Sequence, residues 1–224
     1  MKKRIFITAT NTNIGKTYTT IKLLQEYASR GMRVGVLKLI ETGVMNGVYP
    51  DGELLLSALQ KCNIECLDLS VEDVVPLSYT LPAAPYIASH GAMLDFSILQ
   101  NAIEKMEKRC DILLIEGAGG LMVPVDYTFM MIDLISFFSA SALLVTHCSL
   151  GCINDTLLSQ MALQNRNIAT VTAFNCRGND ENFEEVSAPY FYKQNQKFFR
   201  LDRDLAKMAD ELLASFMPAT VKNL

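Results

Sequence analysis

Short, nearly continuous apolar runs alternate with longer amphipathic stretches along this chain. Residues 4–8, 33–38, 111–116, 142–146 and 169–174 are rich in branched apolar side chains, a pattern that predicts strands buried on both faces. Between them, residues 16–29, 52–60, 95–108, 130–138 and 154–164 place apolar positions at helical spacing, and residues 202–216 predict a closing helix. Regular strand–helix alternation predicts an α/β fold, with one doubly wound, mostly parallel sheet and helices on both faces. No repeat or linker interrupts it, so residues 1–224 are expected to form a single domain. Residues 42–49, which include Gly43 and Gly47, read as a loop. Residues 178–196, polar and rich in Asn and Glu, read as a long surface connection.

Candidate chemistry gathers where predicted strands end. Ala9-Thr10-Asn11-Thr12-Asn13-Ile14-Gly15-Lys16-Thr17 follows the first strand and opens the first helix, the context of a phosphate-binding loop. Backbone N–H groups and a helix N-terminus cradle phosphate oxygens there. Lys16 is placed to neutralise the β/γ-phosphates and the Thr17 hydroxyl to ligate Mg²⁺. The strict pattern asks for glycine at position 10, which is Thr10. A second signal is Glu116-Gly117-Ala118-Gly119-Gly120, directly after the run Ile112-Leu113-Leu114-Ile115. Ligands of open α/β sheets collect at the carboxyl ends of strands, and a carboxylate there suits Mg²⁺. Lys38 closes the second strand, either pointing into the same cleft or snorkelling from a strand end. Asp51 reads equally as a helix N-cap or as a metal ligand.

Composition acts mainly by exclusion. Lys and Arg number 20 against 24 Asp and Glu, so the net charge is −4, without the basic stripe of a nucleic-acid binder. After Met1-Lys2-Lys3-Arg4 only Ile5-Phe6-Ile7 is apolar, too short for a secretory signal. Residues 129–145 contain Asp133, Ser136, Ser139 and Ser141 and fall short of the roughly 20 apolar residues of a membrane span. A cytoplasmic protein with neither nucleic-acid nor membrane partners is expected. The pairs Cys62/Cys66 and Cys148/Cys152 admit a thiolate zinc site by spacing, but their apolar surroundings fit reduced, buried thiols better. His90 and His147 fit no metal-ligand spacing, and no Ser-His-Asp set stands out.

In combination, Thr12-x-x-Gly15-Lys16-Thr17, Lys38-x-x-x-Thr42-Gly43, Glu116-Gly117-Ala118-Gly119-Gly120 and Leu150-Gly151-Cys152-Ile153-Asn154 resemble the dethiobiotin synthetase family. The resemblance runs in order from the first strand to Asn175. It implies a P-loop NTPase-like fold and an enzyme of biotin biosynthesis, a homodimeric ligase. The diamine 7,8-diaminononanoate would be carbamated by CO2, phosphorylated by ATP and closed to dethiobiotin, with Mg²⁺ as cofactor. By the same resemblance, Thr12, Asn13, Ile14, Gly15, Lys16 and Thr17 would form the phosphate loop, and Glu116, Gly117, Ala118 and Gly119 would border the nucleotide. Thr17, Asp51 and Glu116 would surround Mg²⁺. Lys16 and Lys38 would be catalytic, and Thr42 would contact the carbamated diamine. Gly151, Cys152, Ile153 and Asn154 would receive the substrate carboxylate across a two-fold interface, and Asn175 would read the base. The chain departs from the family at Ala9, Asn11, Leu39 and Cys176. Cys176 stands where the family often has Asp, so base discrimination is expected to be weak.

Two rival classes share the loop. Partition and septum-positioning ATPases carry an extra lysine early in it, and residues 9–15 here contain none. Small-molecule kinases usually close an arginine-bearing lid, whereas residues 61–105 contain no arginine and few are expected near the cleft.

Overall fold

The computed structural model describes residues 3–178, 180 and 182–216. Its strands are β1 (Lys3–Ala9), β2 (Val34–Lys38), β3 (Ile40–Thr42), β4 (Leu77–Tyr79), β5 (Ile112–Glu116), β6 (Ser141–His147), β7 (Thr170–Asn175) and β8 (Phe199–Arg200). Six of them pair in the order β2-β5-β1-β6-β7-β8, and every pairing is parallel. All carboxyl ends therefore open on one edge. The chain leaves β1 for β2, returns to β5 and then crosses to β6, so the order reverses around β1, where α/β sheets place their ligands.

The first helices are α1 (Lys16–Ser29) and α2 (Pro50–Cys62). Two single turns follow, α3 (Val71–Val74) and α4 (Pro85–Ala88), then α5 (Phe96–Glu107), α6 (Met131–Phe137) and α7 (Cys152–Gln164). The chain continues through α8 (Phe183–Val186), α9 (Ala188–Lys193) and α10 (Leu205–Ala214). Asp95 caps α5, its carboxylate accepting from Ser97 N–H. The core is continuous across the sheet: Ile5, Phe6, Ile7, Leu114, Leu143 and Leu144 are fully buried. Each such side chain contributes roughly 1.5–3 kcal/mol of transfer free energy. Tyr27, also fully buried, keeps its hydroxyl satisfied by donating to the Ala209 carbonyl at 3.0 Å, which ties α1 to α10.

Several features differ from expectation. A two-stranded parallel ribbon joins β3 to β4, pairing Ile40 with Leu77 and Thr42 with Tyr79; each strand is too short to leave a periodic signal. Residues 178–196 carry α8 and α9 rather than an irregular connection, with Asn179 and Glu181 outside the described residues. Phe183 and Phe191 from that stretch bury against Phe174 in a second apolar cluster, which the surrounding polar residues mask in the sequence. The expectation of reduced thiols also needs correction. Cys148 and Cys176 follow paired residues of adjacent strands, His147 and Asn175, and are joined as a disulfide with their Cα atoms 5.0 Å apart. Cys62, Cys66, Cys110 and Cys152 are free. Residues 129–145 divide into α6 and β6, and no helix among the described residues is long and apolar enough to cross a membrane.

Candidate active site

The loop from Thr10 to Gly15 leaves β1 at the switch point and turns into α1. Gly15 is the N-cap of α1 with φ +107°, a left-handed conformation that glycine adopts without a steric penalty. A Cβ at this position would also run into the Asn175 amide. That amide donates to the Ile14 carbonyl at 2.8 Å, so the end of β7 is fastened to the loop. Lys16 begins α1 almost buried and donates to the Asn11 carbonyl at 3.3 Å. Burial, helped by the neighbouring Lys38 charge, lowers its pKa to about 8.

Four side chains converge beside the loop. In the β2–β5 register Lys38 lies opposite Glu116, each the last residue of its strand. Lys38 Nζ donates to Glu116 Oε1 at 2.8 Å and to Asp51 Oδ2 at 2.5 Å. At 4% exposure this lysine is not snorkelling. Burial alone would lower its pKa, but the Glu116 and Asp51 carboxylates overcome that and raise it. For Asp51 the balance is similar: burial pushes upward, and the Lys38 charge and hydrogen bond bring the carboxyl below its ordinary value. The Thr17 hydroxyl lies 2.9 Å from Asp51 Oδ1 and 2.8 Å from Glu116 Oε1.

A single hydroxyl proton cannot serve both carboxylates, so these oxygens present more lone pairs than protons. That all-oxygen set suits Mg²⁺, which is usually held by one or two carboxylates, with waters and phosphate oxygens completing the octahedron. Among the described residues no group of three or more His, Cys, Asp or Glu is arranged to hold a metal alone. The fit therefore rests on two carboxylates and a hydroxyl completed by phosphate.

Asp51 is not the helix N-cap, and its side chain lines the cleft. The helix begins at Pro50, two residues earlier than expected, and Asp51 sits in its first turn rather than at the N-cap. Capping falls to Glu41, whose buried carboxylate accepts from Asp51 N–H at 2.6 Å and Gly52 N–H at 3.0 Å. Thr12, Asn13, Gly15, Lys16, Thr17, Lys38, Thr42, Asp51, Ala118 and Gly119 line one cleft of about 820 Å³. Glu116 is fully buried at its floor, and Gly117 turns inward against Phe6 and Met131. Ile14 and Asn175 line an adjoining cavity of about 370 Å³. Gly151, Cys152, Ile153 and Asn154 line neither. They form the N-terminal turn of α7, which starts at Cys152, two residues before the expected boundary.

Sequence reading missed four features. Thr20 lies one turn after Thr17 and places its hydroxyl 2.8 Å from Glu116 Oε2; the spacing i, i+3 from Thr17 was the available signal. Glu41 carried none, because its partners are backbone atoms ten residues away. His147 is flanked by Ser149 Oγ at 2.6 Å and Asp155 Oδ2 at 3.0 Å in the smaller cavity, so a Ser-His-Asp row does exist. Arg177 lines both cavities, one of the few arginines expected near the cleft, and no motif in the sequence singled it out.

Comparison with known proteins agrees with these motifs. The model of a family described as an AAA domain matches residues 3–192. The chain is 47% identical over 187 residues to the protein named ATP-dependent dethiobiotin synthetase BioD of Sulfurovum sp. (strain NBC37-1), covering 84% of this chain and 89% of that one. It is 40% identical to the protein of the same name from Wolinella succinogenes, over 95% of this chain and 99% of the other. Among solved structures, a plasmid partition protein from Borrelia burgdorferi superposes with a TM-score of 0.54 at 12% identity, covering 96% of this chain and 97% of that one. At that identity the likeness concerns the fold, a P-loop NTPase-like parallel sheet.

Proposed function

The chain belongs to the ATP-dependent dethiobiotin synthetase family, and from that premise we propose how its residues divide the conversion of 7,8-diaminononanoate, CO2 and ATP into dethiobiotin, ADP and phosphate. One amine of the diamine adds to CO2 and loses a proton, giving a carbamate. A carbamate oxygen attacks the γ-phosphorus and ADP leaves. The second amine then attacks the carbonyl of the carbamic–phosphoric anhydride, expelling phosphate and closing the ureido ring.

The observation that carries this reading is the buried Lys38 ammonium at the mouth of the phosphate loop, fixed between Asp51 and Glu116. Phosphoryl transfer needs positioning and charge neutralisation more than covalent help, and a preorganised lysine supplies both without reorganising. Lys16 neutralises the γ-phosphoryl oxygens, Lys38 orients the carbamate, and Thr42 contacts the carbamated diamine. Mg²⁺ held by Thr17, Asp51 and Glu116 would neutralise charge on the triphosphate. Thr12 to Thr17, with Glu116, Gly117, Ala118 and Gly119, border the nucleotide, and Asn175 faces the base.

The turn at Gly151, Cys152, Ile153 and Asn154 receives the carboxylate of the diamine bound to the other subunit of a homodimer. Exposed Leu150, Leu158 and Met161 on and before α7 support that interface. The reading treats residues 1–224 as one cytoplasmic domain acting on small molecules, without nucleic-acid or membrane partners. Isotope-labelled bicarbonate tests it. The label should enter the ureido carbon of dethiobiotin, with one ADP formed per product. Unlabelled product, or a stable phosphorylated diamine, would exclude this chemistry.

A further inference from the structure

Seven of the eight arginines, Arg4, Arg30, Arg33, Arg109, Arg166, Arg200 and Arg203, place their guanidinium groups within salt-bridge distance of a carboxylate. Arg177 is the eighth, and among the described residues its guanidinium meets no carboxylate. Its Nη2 donates instead to the backbone carbonyl of Asn13, inside the phosphate loop. Among the arginines it is the exception, and it lies beside the phosphate cradle.

The backbone that carries it is held from three directions. Asn175 is bonded to Ile14, Cys176 is joined to Cys148, and Arg177 N–H donates to Asp180 Oδ2 at 2.9 Å. The side chain lies where the two cavities meet. Thr12, Asn13 and Arg177 line both, with Lys16 and Lys38 on one side and Ile14 and Asn175 on the other. A nucleotide with its triphosphate end at the lysines and its base at Asn175 must pass this junction.

The charge balance points the same way. Lys38, held by Asp51 and Glu116, is given to the carbamate in the functional reading, so Lys16 is the lysine that faces the triphosphate. A guanidinium has five donors in a fork that matches phosphate oxygens, and one bond to a carbonyl leaves most of them open.

We propose that Arg177 is a phosphate-binding residue of the nucleotide site, a cation supplied from the end of β7 to the triphosphate where it passes between the two cavities. This rests on the nucleotide occupying the Thr12–Thr17 loop. It also assigns nucleotide affinity to the phosphates more than to the base, consistent with Cys176 standing where the family often has Asp.

The test compares wild type, Arg177→Gln and Arg177→Lys, with Arg203→Gln as a surface control. Dissociation constants for ATP, ADP and adenosine are measured by calorimetry, beside KM for ATP and for the diamine and a thermal melt of each variant. Arg177→Gln is expected to weaken ATP by about tenfold or more, the usual cost of a lost charge-assisted bond. ADP should weaken by less and adenosine hardly at all, with the diamine KM unmoved. Arg177→Lys should recover part of the ATP affinity. ATP affinity in Arg177→Gln within about twofold of wild type would overturn the proposal, as would an equal loss for adenosine, which would mean that the residue only shapes the base pocket. If Arg177→Gln melts early, Arg177→Lys decides, since a lysine as poor as glutamine contradicts a charge role. Wild type that binds ATP through Arg177 yet makes no dethiobiotin would leave this inference standing and remove the functional reading.

Discussion

Lys38 and Lys16 are both lysines at the edge of one sheet, yet their surroundings drive their proton affinities apart. Lys38 is held charged by two carboxylates, whereas Lys16 is buried beside a like charge. Lys38→Ala should lower kcat by roughly 10²-fold or more, as removal of one preorganised donor does, with a smaller change in ATP affinity. Steady-state kinetics with the diamine and bicarbonate check this, and unchanged turnover would reduce Lys38 to a structural role. Lys16 gives a pH prediction. Folding lowers its pKa from 10.5 to about 8, so the folded chain releases a proton that the unfolded chain still holds between those values. Its contribution to stability therefore grows as pH rises through that window, while its charge toward phosphate is lost. ATP affinity of the free enzyme should fall as pH rises above about 8. Titration calorimetry across that range measures it, and Lys16→Arg, which stays charged, should flatten the profile.

At the scale of elements, the site depends on where helices start. Tyr49, the N-cap of α2, makes no side-chain cap, and Glu41 from β3 substitutes for it. Glu41→Ala leaves two N–H groups of the first turn without their acceptor. It should cost about 1–3 kcal/mol of stability in denaturant unfolding and loosen Asp51, raising the Mg²⁺ concentration needed for half activity. Glu41→Gln, retaining one carbonyl acceptor, should fall between. The same element shows what the sequence could and could not disclose. The core strands, α1 and α5 were legible because their apolar positions are long and regular, and Gly15, Lys16 and Glu116 because each directly adjoins a strand or helix end. The β3–β4 ribbon was hidden by its three-residue strands. Phe183 and Phe191 were hidden because Glu184, Glu185 and Ser187 break up any regular apolar period between them. Glu41 and Arg177 were hidden because they bond to backbone atoms, which carry no sequence identity.

For the whole molecule, the cleft and the α7 turn are separate places, and the functional reading joins them through a second copy of the chain. Asn154→Ala should raise the diamine KM several-fold, by roughly the 1 kcal/mol or more of a lost polar contact, while ATP binding is unchanged. Sedimentation should give a dimer, and a fully active monomer would remove α7 from the substrate site. The fold itself does not decide function, since a partition protein shares it. The cluster of Lys16, Thr17, Lys38, Asp51 and Glu116 is what the account reads as a ligase site. The most direct test is ATP turnover with and without the diamine and bicarbonate. The account predicts that ADP forms only when both are present, in step with dethiobiotin. ATP turnover indifferent to both would contradict it and return the chain to the nucleotide-driven switches.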